Sequence, residues 1–166
     1  IKQYFKDWGT YRNNIYYELH SHINVYECVF LNFFVLSLKS LRNINILEIG
    51  CAYGTSSMII ANALNKLKSK KKFYTILDPN QFTQWEEIGH YNLNRILNRD
   101  TKTEYVTELS SIGMPQLFEK GRKYDLIFVD GAHDYEQCKA DCVYSDKMIN
   151  LNGFIILDDV LHRGVK

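Results

Sequence analysis

Only two of the 166 residues are proline and nine are glycine. That is too few for a collagen-like or low-complexity chain, and no internal repeat or linker interrupts it. Charge of one sign is also lacking: 20 Lys and Arg stand against 19 Asp and Glu, a net charge of +1. No strong field draws a polyanion, so nucleic acid is not expected as a partner. No apolar run reaches the roughly 20 residues of a membrane span. The most apolar early stretch, Val25 to Leu38, is shorter, carries Glu27 and Asn32, and reads as a buried helix. A membrane is therefore not expected as a partner either. The four cysteines, Cys28, Cys51, Cys138 and Cys142, form no CxxC pair, and the last two are spaced as neighbours on one helix face. They are expected reduced and buried, which fits a cytoplasmic setting. No charged-then-apolar signal opens the chain, but it begins at Ile1 rather than Met, which leaves targeting open.

What is present is a globular composition, 46% hydrophobic and 23% charged, at a length that suits one domain. Five short apolar runs alternate with helix-like segments: Ile44 to Ile49, Phe73 to Leu77, Glu104 to Leu109, Tyr124 to Val129 and Phe154 to Leu157. Strands buried on both faces of a parallel sheet read this way, so an α/β fold is expected. Ile60, Leu64 and Leu67 mark one stripe of a helix that begins after Gly54. The lysines at its far end, Lys66, Lys68, Lys70, Lys71 and Lys72, suit the negative helix terminus and a solvated turn. Further helices are expected over Trp85 to Leu97, Pro115 to Lys120 and Tyr135 to Ile149. The last carries Tyr135, Cys138 and Cys142 on one face. Residues 1–43 form an N-terminal helical segment ahead of a domain at 44–166. Its aromatics Tyr4, Phe5, Trp8, Tyr11, Tyr16 and Tyr17 serve core packing or cap a substrate site.

Ligands of open α/β sheets bind beyond the carboxyl ends of the strands, where helix N-termini and loop amides converge. The first strand runs into Glu48-Ile49-Gly50-Cys51-Ala52-Tyr53-Gly54-Thr55-Ser56, a two-glycine loop that lets the backbone approach a ligand. A dinucleotide fingerprint needs glycine at position 52, where Ala52 stands, so an NAD-dependent oxidoreductase fails on that pattern. The second strand ends in Asp78, an acid placed to accept both hydroxyls of a ribose or, alternatively, to open a turn before Pro79. Glu108, Ser110 and Ser111 follow the third strand, within reach of an adenine or as a plain polar loop. Asp130 follows the fourth and Asp158-Asp159 the fifth. Converging at one crevice, these three carboxylates repel one another unless a cation sits among them; otherwise they form a solvated rim. Oxygen ligands of this kind suit Mg²⁺, Mn²⁺ or Ca²⁺.

Together the stretches Leu47 to Ser57, Leu77-Asp78, Tyr124 to Glu136 and Gly153 to Asp159 resemble the class I S-adenosylmethionine-dependent methyltransferases. Within them, Phe128-Val129-Asp130-Gly131-Ala132-His133-Asp134-Tyr135-Glu136 is similar to the small O-methyltransferase-like group, cousins of the catechol and caffeoyl-CoA enzymes. The resemblance covers residues 44 to 160. It implies a Rossmann-like, doubly wound parallel sheet of order 3-2-1-4-5 with N-terminal helices. It also implies S-adenosyl-L-methionine as cofactor, held by Glu48, Gly50, Cys51, Ala52, Gly54, Thr55, Ser56, Asp78, Glu108, Ser110 and Asp130, with Glu48 near the amino end of its methionine part. In metal-dependent relatives the positions of Asp130, Asp158 and Asp159 bind Mg²⁺, the third often being Asn. Their general-base lysine falls at His133. Asp130 and His133 are then the catalytic pair, and a small hydroxylated molecule or a sugar hydroxyl is the methyl acceptor.

The family continues past Asp159 with a helix and two more strands, whereas seven residues, Val160 to Lys166, remain here. The last two family strands are thus expected to be missing, leaving Phe154 to Leu157 as an apolar edge. Either the chain is a fragment, or a partner or second copy, as in a homodimer, covers that edge. A rival reading follows: a non-catalytic S-adenosylmethionine-binding domain that is part of a larger protein.

Overall fold

The computed structural model describes residues 23–161. Asn24 opens the first helix, α1 (Val25–Ser37), by accepting the amides of Tyr26 and Glu27 on its side chain, while Glu27 reaches back to the Asn24 amide at 2.7 Å. This reciprocal pairing satisfies donors that have no partner inside the helix. After a short 3₁₀ turn at Leu38–Ser40, strands and helices alternate: β1 (Asn43–Ile49), α2 (Thr55–Lys66), β2 (Lys71–Leu77), α3 (Ile88–Ile96), β3 (Thr101–Val106), α4 (Ser110–Glu119), β4 (Tyr124–Val129), α5 (Tyr135–Met148) and β5 (Ile149–Leu157). All pairings are parallel, and the sheet order is β3-β2-β1-β4-β5. This is the expected doubly wound α/β fold.

Each face of the sheet has its own core. Ile44, Ile46, Tyr74, Ile76, Leu126 and Phe128 pack with residues of α1, α2 and α3. Leu47, Ile49, Leu77, Ile127 and Val129 pack on the other face with Met114, Leu117 and Met148 of α4 and α5. Because β1 and β4 are covered on both sides, their side chains are apolar in succession rather than alternately. The strand order reverses between β1 and β4, so the loops leaving these two strands diverge to opposite faces and open a crevice.

Several expectations are corrected. β3 lies at Thr101–Val106, not Glu104 to Leu109. It is an edge strand, largely half-covered, so the polar Thr101-Lys102-Thr103 belongs to it although no apolar run announces it. α4 begins at Ser110, five residues before Pro115, which sits inside the helix. The carbonyl to which residue 115 would otherwise donate belongs to Ser111, an exposed residue. α3 begins at Ile88 rather than Trp85. β5 begins at Ile149 and bulges before Phe154, so its polar first half escapes an apolar reading. α1 is buried on one side only, through Cys28, Leu31 and Val35, while Val25, Tyr26, Phe30 and Phe33 are exposed. Tyr135 is exposed and does not share the buried face of α5, which is Cys138, Asp141, Ser145 and Met148. Lys72 is buried at 2% exposure and not part of a solvated turn. Its ammonium meets Asp100 at 2.7 Å and the Leu64 and Leu67 carbonyls at the end of α2. All four cysteines are free thiols, three buried and Cys142 half-buried. The N-terminal aromatics lie outside the described residues. No helix among the described residues is long and apolar enough to cross a membrane.

Candidate active site

A cavity of about 400 Å³ opens at the carboxyl ends of β1, β2 and β4, a volume in the range of small-molecule sites. Its floor is the loop after β1. Gly50 takes φ +89°, and a Cβ there would overlap the Asp130 carbonyl oxygen, so only glycine lets the β1 and β4 ends close together. Gly54, at φ +87°, caps α2 without a side-chain bond and packs against the backbone of Gly89. The first turn of α2 therefore presents Thr55 and Ser56 to the cavity at the positive end of the helix, where an anionic group fits.

Two buried acids hold this loop from behind. The Asp78 carboxylate accepts the amides of Cys51 at 2.9 Å, Ala52 at 2.7 Å and Asn80 at 2.8 Å, and the Gln81 amide at 3.1 Å. Gln81 also donates to the Ala52 carbonyl at 2.7 Å. Asp78 lines the cavity. Three of its four bonds fall on Oδ2, so Oδ1 keeps the capacity for a ligand hydroxyl. Glu48 is wholly buried and does not line the cavity. Its carboxylate accepts the hydroxyls of Ser56 and Ser57, both at 2.5 Å, and that of Tyr74. Burial pushes the Glu48 carboxyl up to about 7, against the pull of those three hydroxyls, and the nearby Asp78 adds to the rise.

At the opposite rim stands the loop after β4. Asp130, Gly131, Ala132 and His133 line the cavity, and Gln137 on α5 and Leu109 and Ser110 at the start of α4 complete that side. The Ser110 hydroxyl donates to Gln137 at 3.2 Å. Asp130 is pushed up to about 8, first by burial and then by the charges of Asp158, Glu48 and Asp159. Burial also raises Asp158. The Asp159 carboxylate meets His133 Nε2 at 2.9 Å. Asp130, His133 and Asp159 each offer one ligand atom within 4.8 Å of the others. The carboxylate group expected as Asp130, Asp158 and Asp159 thus comes together with His133 in the place of Asp158. Asp159 takes a left-handed backbone, φ +51°, and its amide donates to the Asp158 carboxylate at 2.9 Å.

Of the cofactor-binding residues expected from sequence, Gly50, Cys51, Ala52, Thr55, Ser56, Asp78, Ser110 and Asp130 line the cavity, while Glu48, Gly54 and Glu108 do not. Residues not expected to bind the cofactor also shape the site. Tyr53 and Trp85 meet edge to face with ring centroids 5.0 Å apart at the wall, and Gln81 pins the loop. Neither Trp85 nor Gln81 falls at a strand end or in a motif, so only the folded loop after β2 brings them in.

A family model described as a methyltransferase domain matches residues 47–160. The chain belongs to that family. No curated protein matches it by sequence. Among solved structures, this methyltransferase domain is similar to the O-methyltransferase from Bacillus cereus in complex with SAH, with TM-score 0.72 and 24% identity over 98% of this chain and 68% of that one. It is similar to the O-methyltransferase TomG from Streptomyces achromogenes in complex with SAM, with TM-score 0.69 and 19% identity over 95% and 66%. A caffeoyl-CoA O-methyltransferase assignment from Staphylococcus aureus gives TM-score 0.66 and 20% identity over 98% and 75%. The methyltransferase domain thus has the fold of these O-methyltransferases and spans about two thirds to three quarters of their length.

Proposed function

We propose that this methyltransferase domain binds S-adenosylmethionine and methylates a hydroxyl oxygen of a small molecule. The observation that carries this is the single cavity wall joining the glycine loop and the first turn of α2 to the Asp130–His133 rim. When bound, the cofactor supplies an electrophilic methyl group on its sulfonium. The loop Gly50 to Ala52 and the amides at the start of α2 receive its amino-acid end, Asp78 Oδ1 a ribose hydroxyl, and Ser110 and Leu109 the adenine edge. Glu48 acts behind the loop by tying Ser56 and Ser57 to β2 through Tyr74, rather than by touching the cofactor. His133, which lines the cavity and meets Asp159 at 2.9 Å, takes the acceptor proton when no ion is bound. Reaction by direct displacement asks mainly for alignment, which these fixed loops supply. With a divalent ion bound, Asp130, His133 and Asp159 would hold it, since two carboxylates and an imidazole are ordinary ligands and Asp130 is crowded by acid, and His133 would then be a ligand rather than the base. Such an ion would lower the pKa of a bound hydroxyl. The fold-level likeness to SAM- and SAH-bound structures supports the cofactor.

The test is isothermal titration of S-adenosylmethionine and S-adenosylhomocysteine with and without Mg²⁺, followed by a screen of hydroxylated acceptors. Micromolar binding and product formation are expected. Asp130→Ala should lose divalent-ion dependence and most turnover, and full activity in that variant would remove the metal role. Cofactor binding with no product from any acceptor would instead favour a binding domain.

A further inference from the structure

A second cavity, of about 470 Å³, lies at the opposite end of the sheet, where β1, β2, β3 and β4 begin. Six cations line it, Lys70, Lys71, Lys72, Lys102, Arg122 and Lys123, against one carboxylate, Asp100. Strand register explains the gathering. Phe73 pairs with Lys102 across β2 and β3, and Lys71 lies two residues before Phe73. Lys71, Phe73 and Lys102 therefore share one face of the sheet, beside the turn that carries Arg122 and Lys123.

Three of the six cations are engaged. Lys72 is neutralised by Asp100 at 2.7 Å. Arg122 meets Glu104 at 2.9 Å and lies over the Phe73 ring, 4.6 Å from its centroid. Lys123 donates to the Lys147 carbonyl at 2.6 Å, near the end of α5. Lys70, Lys71 and Lys102 are exposed, and among the described residues no carboxylate lies within ion-pair distance of them. Six of the 20 Lys and Arg of a chain with a net charge of only +1 thus line one concavity, where low-dielectric walls focus the field.

We infer that this cleft binds a small ligand carrying two or more adjacent phosphate groups, held by Lys70, Lys71 and Lys102. Ammonium groups from separate segments act as point charges and suit tetrahedral, multiply charged phosphate better than a single planar carboxylate. The volume admits a small molecule rather than a folded partner. Inorganic polyphosphate and the phosphate chain of a nucleotide share this chemistry.

The experiment titrates tripolyphosphate, ATP and orthophosphate into the 166-residue chain at low ionic strength, where such contacts are least screened. Saturable tripolyphosphate binding is expected with Kd below about 1 mM, tighter than orthophosphate. Lys71→Ala/Lys102→Ala should weaken it at least about tenfold. Lys66→Ala/Lys68→Ala, in the same lysine-rich stretch but outside the cleft, should change it by less than about threefold. Lys102→Gln, milder than the double variant, should weaken it in the same direction and serves if the double variant melts early. ATP binding more tightly than tripolyphosphate would identify a nucleotide as the ligand, and equal binding would identify the phosphates alone. S-adenosylhomocysteine should not compete, which separates this cleft from the cavity at the other end. Absence of saturable binding up to about 10 mM, equal weakening in both double variants, or competition by S-adenosylhomocysteine would overturn the assignment.

Discussion

At Gly50 one missing methyl group decides whether two strands can meet. The residue sits at φ +89° with the Asp130 carbonyl where a Cβ would be. Gly50→Ala forces a left-handed alanine and drives β4 away, two costs that together amount to about 3 kcal/mol. A urea-melt loss of that order is expected, along with loss of S-adenosylhomocysteine binding. A variant as stable as the parent would contradict the closure. The same residue pattern was legible from sequence, since a two-glycine loop after an apolar run calls for tight backbone approach. The sequence did not reveal that Glu48 turns inward. Its three hydroxyl partners, Ser56, Ser57 and Tyr74, stand 8, 9 and 26 residues away and meet it only after β1, α2 and β2 are packed.

Among the elements, α4 carries its own weakness. Pro115 lies five residues into the helix and withholds the amide that the Ser111 carbonyl would accept. Pro115→Ala restores that bond and a better helix former, and it should raise stability by about 1 kcal/mol or more. Calorimetric melting checks this, and an unchanged or lower transition would show that the proline ring is needed where it packs. Element boundaries were most legible where both faces are buried. β1, β2 and β4 announce themselves through the mostly apolar runs Ile44 to Ile49, Phe73 to Leu77 and Tyr124 to Val129, whereas the edge strands β3 and β5 include the polar stretches Thr101 to Thr103 and Asn150 to Gly153, which the sheet covers only partly.

For the molecule as a whole, the buried Glu48 carboxyl sets a pH dependence. Its ordinary value near 4.5 rises to about 7 on folding. Between those values the folded chain holds a proton that the unfolded chain has released, so stability falls as pH climbs. The penalty is absent below about 4.5 and complete above about 7, and amounts to about 3 kcal/mol. Denaturant melts from pH 5 to 8 should therefore decline more steeply for the parent than for Glu48→Gln, which has no carboxyl to titrate. Parallel profiles would mean that Glu48 carries its charge without cost in the fold.

Apolar runs alternating with helical stripes, the glycine loop and the acids at the strand ends are local properties, and from them the sequence alone determined the α/β class, the end of the sheet that holds the cavity and part of its lining. Which side chains meet was decided by tertiary structure. Asp159 reaches His133 because β4 and β5 are neighbours, Asp158 takes no place in that cluster, and Glu108 stays outside the cavity. The basic cleft belongs to the same class of facts. Its lysines come from β2, from β3 and from the turns before β2 and β4, segments some fifty residues apart that share no motif, and only parallel register sets them side by side.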